Sequence, residues 1–565
     1  MSDEAPRAGL KLSPSASQEQ LICALLVSSL PLFYLLYDLI LFRNDISSWL
    51  AMRISGVQLL LKEQKLYVDF WDWTQPIVFD CMRGPLALRQ LLEQQGLFLP
   101  VDLFSHVLIW FTVLCSCLLT GLVFSRAMLA LEAENDSSVK DSVVKGELRQ
   151  LIVPLMFSTA LTALIIRFDF GDLPLFLVLA LAPWSLLRWL AYRGVSLSPW
   201  LAMPVGALAG VAACFDLPFI FFFIAVELAL AMEKGSLRPL LSLDTLALTL
   251  VLGLNLIHLN QLDEPSYTAF WKWTMALKLA NYQIYDGSLY GPDSCPDRRD
   301  ILYGMALSLG LAFILGKKNS FFLPAVTILL AGFSLFVLEK QGLSRDLIPA
   351  VFASTLCLTM ALVLALRDAA ARLLPQSELK SLAQIKVAAL LLGALAATAT
   401  FAYCLNFDRD RMHEYVAHHS EQGYDDLLTV YNNSKVWKAP VMVICDYPQA
   451  AYPSLLNLGA EPAGYLLWSR PLRLFDWLSH HQLLSPQLKE FYAYVCQKLN
   501  TELKSGNANL IIVESMENDM LAHAGLMPSL EARYKKGDEC RYYSYNRQPR
   551  EFVGRWYFDA YGRKP

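Results

Sequence analysis

The chain has 565 residues, of which 55% are hydrophobic and 17% charged, with a formal net charge of -4 and a mean hydropathy of +0.38. Soluble globular chains carry about a quarter charged residues, so this apolar excess is more than a water-soluble core can hide and points to contact with lipid. Intrinsic disorder and collagen-like structure are excluded, and no basic field exists to attract nucleic acid.

Residues 1–20 are polar, carry Arg7 and Lys11 and lack a small-residue cleavage site, so they read as a cytosolic tail before a retained first span. That span runs from Leu21 to Phe42. Further apolar runs lie near 104–124, 151–168, 173–192, 200–214, 217–232, 242–258, 301–316, 321–338, 347–366 and 385–404. Together they make about eleven spans, and membrane lipid is the first expected partner. With the N-terminus in the cytosol, Arg126, Lys140, Lys145, Arg149, Arg193, Lys234, Arg238, Lys317 and Lys318 fall in inner loops, as the positive-inside rule asks. The loop 43–103, the loop 259–300 and everything after Asn406 then lie outside.

Residues 406–565 differ in composition and contain six of the eight histidines. The β-branched runs Val441–Cys445 and Leu510–Val513 end in Cys445-Asp446 and Glu514-Ser515 and predict buried strands. Arg541–Asn546 and Phe552–Tyr561 predict an antiparallel pair, and Leu484–Leu499 a helix. An extracytoplasmic α/β domain is expected. Six of the eleven cysteines lie in or near outer segments, where disulfides are permitted, but no spacing fixes a pairing. There is no CxxC pair, and His413-Glu414 with His418 is not the HExxH pattern, since position 417 is Ala417, so no metal site is expected. No phosphate loop is present, which disfavours ATP-driven transport and cytosolic nucleotide-sugar chemistry.

After the first span, Ile46, Trp49, Leu50, Ile54, Val57, Leu60 and Leu61 recur at helical spacing and predict an amphipathic helix from Ile46 to about Lys62 in the outer membrane interface. Asp45 stands at its start, where it is also a good N-cap with Ser47 and Ser48. At its other end comes Leu66-Tyr67-Val68-Asp69-Phe70-Trp71-Asp72-Trp73-Thr74-Gln75-Pro76. Asp69 and Asp72 read either as solvated loop acids or, with Asp45, as carboxylates converging beside the headgroup layer. The aromatics read as an interfacial belt or as sugar-binding faces. Asp216 is expected in a short outer turn before Pro218, and Glu227 in the inner half of its span, paired with Lys234 or Arg238.

The order of an Asp after the first span, a helix, and then Leu66-Tyr67-Val68-Asp69-Phe70-Trp71-Asp72 with Pro76 resembles the first outer loop of GT-C glycosyltransferases, in the branch with protein O-mannosyltransferases and the lipid A aminoarabinose transferase. Arg167-Phe168-Asp169-Phe170-Gly171-Asp172, the Gly206-Ala207-Leu208-Ala209-Gly210 run and Gln341-Gly342-Leu343-Ser344-Arg345-Asp346 with Pro349 are similar to further segments of bacterial members. The resemblance covers residues 20–405 and implies a GT-C-like helical membrane domain that takes a sugar from a polyprenyl-phosphate donor on the outer face, in a bacterial inner membrane. It implies Asp45 as general base and Asp69 as a second acid that binds or positions substrate. Asp72, Tyr67 and Trp71 would be supporting substrate contacts. Arg83, Arg167 and Arg345 would grip the leaving phosphate, although each stands at a span boundary where snorkelling to headgroups also accounts for it. The chain departs from the pattern at Gln75-Pro76, where the family has paired prolines, at Asp216 and at Arg345-Asp346. The metal requirement, the sugar and the acceptor (glycan, lipid or protein) stay open. Two readings of another class stand beside it: a carrier of lipid-linked sugars or small solutes, and a noncatalytic scaffold of the same fold. A carrier would place ionisable groups near mid-membrane with internal repeats, whereas most acids here cluster toward one face.

Overall fold

An apolar chain in an apolar medium must satisfy its own backbone, and a helix does so within one segment. The computed structural model describes residues 14–41, 48–97, 99–134, 173–195, 198–281, 298–316, 322–339, 347–358, 439–446, 452–457, 459–515, 517–545 and 552–563, with single positions at 154, 158, 161, 162 and 361. The described part before residue 360 is mainly helical: α1 (Pro14–Leu41), α2 (Ser48–Leu61), α3 (Pro76–Gln94), α4 (Val101–Glu134), α5 (Leu173–Tyr192), α6 (Pro199–Phe215), α7 (Ile220–Lys234) and α8 (Leu243–Asn260). Then follow α9 (Glu264–Thr268), a π-helical turn (Ala269–Thr274), α10 (Met275–Asn281), α11 (Arg298–Gly316) and α12 (Phe322–Glu339). A further apolar helix, α13, spans Ile348–Leu358.

Three stretches, Leu103–Arg126, Leu173–Tyr192 and Leu243–Asn260, are long and apolar enough to cross a membrane. Shorter apolar helices occupy the expected spans near 21–42, 200–214, 301–316, 321–338 and 347–366. The expected span at 385–404 lies outside the described residues, as does most of that at 151–168. Small residues let the helices approach closely. A Cβ at Gly121 of α4 would stand 2.3 Å from the Ala24 Cα of α1, and one at Gly206 of α6 2.1 Å from the Asp244 carbonyl oxygen of α8.

The helix expected over Ile46–Lys62 is α2, with one correction. It is not amphipathic, because every residue from Trp49 to Val57 is buried. Arg53 and Ser55 are buried along with its apolar residues, so α2 is an interior helix, wedged between α3 and the C-terminal domain. Gly56 permits the wedge, since a Cβ there would meet Phe79 at 2.7 Å on one side and Leu467 at 3.2 Å on the other.

The C-terminal segment forms a five-stranded sheet of order β2-β1-β3-β5-β4. Its strands are β1 (Pro440–Ile444), β2 (Glu461–Ala463), β3 (Leu510–Glu514), β4 (Tyr534–Tyr545) and β5 (Phe552–Arg563). β1 is parallel to both β2 and β3, while β5 is antiparallel to β3 and β4. The helices are α14 (Tyr452–Asn457), α15 (Arg470–His480), α16 (Pro486–Ser505), α17 (Glu517–His523) and α18 (Met527–Arg533). The helix expected at Leu484–Leu499 is α16. Ser485 caps its start by accepting from the Leu488 N–H, and Gly506 ends it in the left-handed region at φ +67°. One hydrophobic cluster runs without a break from Val27 and Tyr34 through Trp49–Phe79 to Val441 and Ile512, so the first outer loop and the sheet share a core. Disulfides were permitted among the outer cysteines; Cys81 and Cys496 are free thiols.

Candidate functional site

Three segments that the sequence reading put on one face pack into one body. Lys65 Nζ meets Asp263 Oδ2 at 2.9 Å, His258 Nε2 meets Asp80 Oδ2 at 3.0 Å, and Lys278 Nζ meets Asp216 Oδ1 at 2.9 Å. These contacts bind the region after α1 and the turn after α6 to the end of α8 and the segment that follows it. Lys272 then pairs with Glu490 of α16 at 2.7 Å, and Trp273 stacks on Phe491 with centroids 5.1 Å apart.

Between α2 and α3 the chain turns tightly. Tyr67 sits at φ +71° in the left-handed region, a costly conformation for a bulky residue. Its surroundings hold it there. The Tyr67 hydroxyl donates to the Thr74 carbonyl at 2.8 Å, and its own carbonyl accepts from the Tyr465 hydroxyl at 2.9 Å. Trp71 forms a parallel bridge with Leu466, and its indole N–H donates to Thr274 at 3.0 Å. Both residues were expected to face substrate. In the structure both side chains are wholly buried; the Tyr67 hydroxyl is committed to the loop itself and the Trp71 indole to Thr274, while the backbone of both residues joins the loop to the C-terminal domain.

The two acids of the motif have opposite environments. Asp69 is exposed, with one carboxylate oxygen accepting from the Lys65 N–H at 2.8 Å, so the loop fixes its orientation while it stays in water. Asp72 is wholly buried. Its Oδ1 accepts from the Thr74 N–H at 2.6 Å, and its Oδ2 has no hydrogen-bond partner among the described residues. Burial pushes its pKa up, opposed by the Thr74 bonds and by the charges of Arg53 and Lys278. Beside it Trp73 and Trp49 each meet Trp468 edge-on at 5.0 Å. Arg83 is exposed on α3. Asp45, Arg167 and Arg345 lie outside the described residues.

The sheet carries a second polar centre that the sequence reading did not single out. Parallel strands collect ligand-facing groups beyond their carboxyl ends, and there β1 delivers Asp446, β3 delivers Glu514, and the start of α17 delivers Glu517, each about 1% exposed. The Asp446 N–H donates to Glu514 at 2.9 Å, and Arg473 donates to Asp446 at 2.9 Å and stands 3.9 Å from Glu517. Among the described residues, Glu514 Oε1 and both Glu517 oxygens lack hydrogen-bond partners. Burial, then the neighbouring carboxylates, pushes Glu514 up to about 7 and Glu517 well above the usual range. The signal was present in the sequence: both buried strands end on an acid.

At the opposite ends of the helices, Arg188 is wholly buried and donates to Glu227, to Asp244 at 2.9 Å, to Ser242 and to the Pro239 carbonyl at 2.8 Å. Glu227 therefore pairs with Arg188 and the Tyr192 hydroxyl rather than with Lys234 or Arg238.

No protein-family model matches the chain, and no curated protein matches it.

Proposed function

We propose that the protein is a polytopic membrane glycosyltransferase of the GT-C kind, with about eleven spans, that moves a sugar from a polyprenyl-phosphate donor to an acceptor on the outer face of a bacterial inner membrane. The observation that carries this reading is the meeting of the 48–97 loop, the 261–281 loop and the C-terminal domain in one body, with an oriented, exposed Asp69 and a buried Asp72 in the segment that resembles the family. Arg193, Lys234 and Arg238 stand at the other ends of their helices, in keeping with a cytosolic side there.

In this reaction the acceptor hydroxyl displaces polyprenyl phosphate at the anomeric carbon with inversion. Asp45 takes the hydroxyl proton, a contribution of about 10²–10⁴ in rate. Asp69 positions the substrate, Asp72 supports it, and Arg83, Arg167 and Arg345 offer cations to the departing phosphate. Tyr67 and Trp71 act indirectly, by fixing the loop. The test is release of polyprenyl phosphate by purified protein supplied with a polyprenyl-phosphate sugar pool and a membrane extract, together with mass analysis of envelope glycoconjugates in a deletion strain. An unchanged glycoconjugate profile in that strain, with no release in vitro, sinks the reading.

A further inference from the structure

We propose that Asp476, His480 and His523 form a binding site for a first-row divalent cation, with zinc the best-suited ion. Asp476 and His480 are one turn apart on α15, and His523 is the last residue of α17. Each offers one ligand atom, and the three atoms lie within 4.8 Å of one another. Asp476 Oδ1 stands 3.2 Å from His523 Nδ1. Ligand atoms around a tetrahedral zinc with bonds of about 2.0–2.1 Å are themselves about 3.3 Å apart, so the Asp476–His523 spacing already approaches that around a bound ion.

The donor chemistry agrees. Two imidazoles and one carboxylate suit zinc and its neighbours rather than magnesium or calcium, which prefer all-oxygen shells. His480 Nδ1 lies 2.8 Å from the Asp476 carbonyl oxygen; since a carbonyl only accepts, the Nδ1 carries the proton and Nε2 keeps its lone pair. A metal-binding histidine usually has its other nitrogen anchored in this way. The side chains are partly open to solvent, His480 57% and His523 53% exposed, so an ion can enter and a coordination position remains for water.

The ion would clamp two helices of the sheet domain. α15 begins with Arg470 and carries Arg473, and α17 begins with Glu517; these residues line the acid cluster at the strand ends. The clamp and the acid cluster thus stand on the same two helices. This inference does not depend on the proposed transfer reaction.

The experiment uses the full chain in detergent with zinc alone as the probe, titrated against a chromophoric chelator and followed in parallel by thermal unfolding. Wild type should take up zinc stoichiometrically and unfold at a higher temperature with it. His480→Gln and His523→Gln should each weaken binding by about 100-fold or more, since loss of even an outer-sphere partner costs 10–100-fold. His481→Gln, whose ring stacks on Trp477 at 4.0 Å, serves as the control and should bind as wild type does. Far-UV circular dichroism of each variant checks folding. Absence of stoichiometric zinc in the wild type, or folded His480→Gln and His523→Gln variants that hold zinc as tightly as wild type, would overturn the site.

Discussion

The Tyr465 hydroxyl donates to the Tyr67 carbonyl at 2.9 Å, joining positions 398 residues apart. With the Trp71–Leu466 bridge beside it, this contact makes the C-terminal domain part of the loop's own fold. Tyr465→Phe leaves a buried carbonyl unpaired and should cost about 1–3 kcal/mol. Trp71→Ala removes a fully buried indole and should cost about 3–5 kcal/mol. Thermal unfolding should rank the variants in that order, and limited proteolysis should release the C-terminal domain fastest from Trp71→Ala.

Substitutions of the acids separate chemistry from scaffold. Asp72→Asn keeps an acceptor for the Thr74 N–H and removes a charge that burial disfavours, so folding stability should change by less than about 1 kcal/mol. Asp45→Asn keeps capping capacity and should lower transfer by about 10²-fold or more. Asp72→Asn should lower it less, as befits a supporting role. Full activity in Asp45→Asn would move the base to Asp69, whose carboxylate is the exposed and oriented one.

The Arg188 clasp predicts a large stability effect far from that loop. Arg188→Met strands Glu227 and Asp244 and should cost about 3–5 kcal/mol. Arg188→Lys should also be costly, because an ammonium cannot span both carboxylates as the planar guanidinium does. Adding Glu227→Gln and Asp244→Asn to Arg188→Met should recover much of the loss. Unfolding of the variants in detergent checks the set.

The acid cluster makes stability depend on pH with a definite sign. Glu514 titrates at about 7 when folded, above its ordinary 4.5, so the folded state binds the extra proton between those values. The stabilising contribution is full below about pH 4.5 and is lost as pH rises through about 7. Wild type should therefore lose, relative to Glu514→Gln, on the order of 2–3 kcal/mol from pH 4.5 to 8. Paired denaturation curves at several pH values read the difference directly, and parallel curves would deny Glu514 its raised pKa.

Local features were legible from the sequence because local physics sets them. The helix expected at Leu484–Leu499 follows from its apolar pattern, and the structure carries it on to Ser505, where Gly506 in the left-handed region ends it. The buried strands follow from β-branched runs, which form β1 and β3 within a residue of their expected bounds. The apolar helices follow from length and hydropathy alone. What surrounds a residue on its far side was not legible. The apolar residues of α2 permitted a membrane-surface helix, and only Phe79 and Leu467 closing on Gly56 made it an interior one. Neighbours seven and eleven residues away made Glu227 a partner for Lys234 or Arg238 on paper, yet helix packing delivered Arg188 from 39 positions earlier. Asp69 and Asp72 are three residues apart and alike in sequence; one became an anchored surface carboxylate and the other a buried acid with an unpaired oxygen. That difference arises from long-range burial, because the dielectric around a carboxylate is set by whichever distant segments exclude its water.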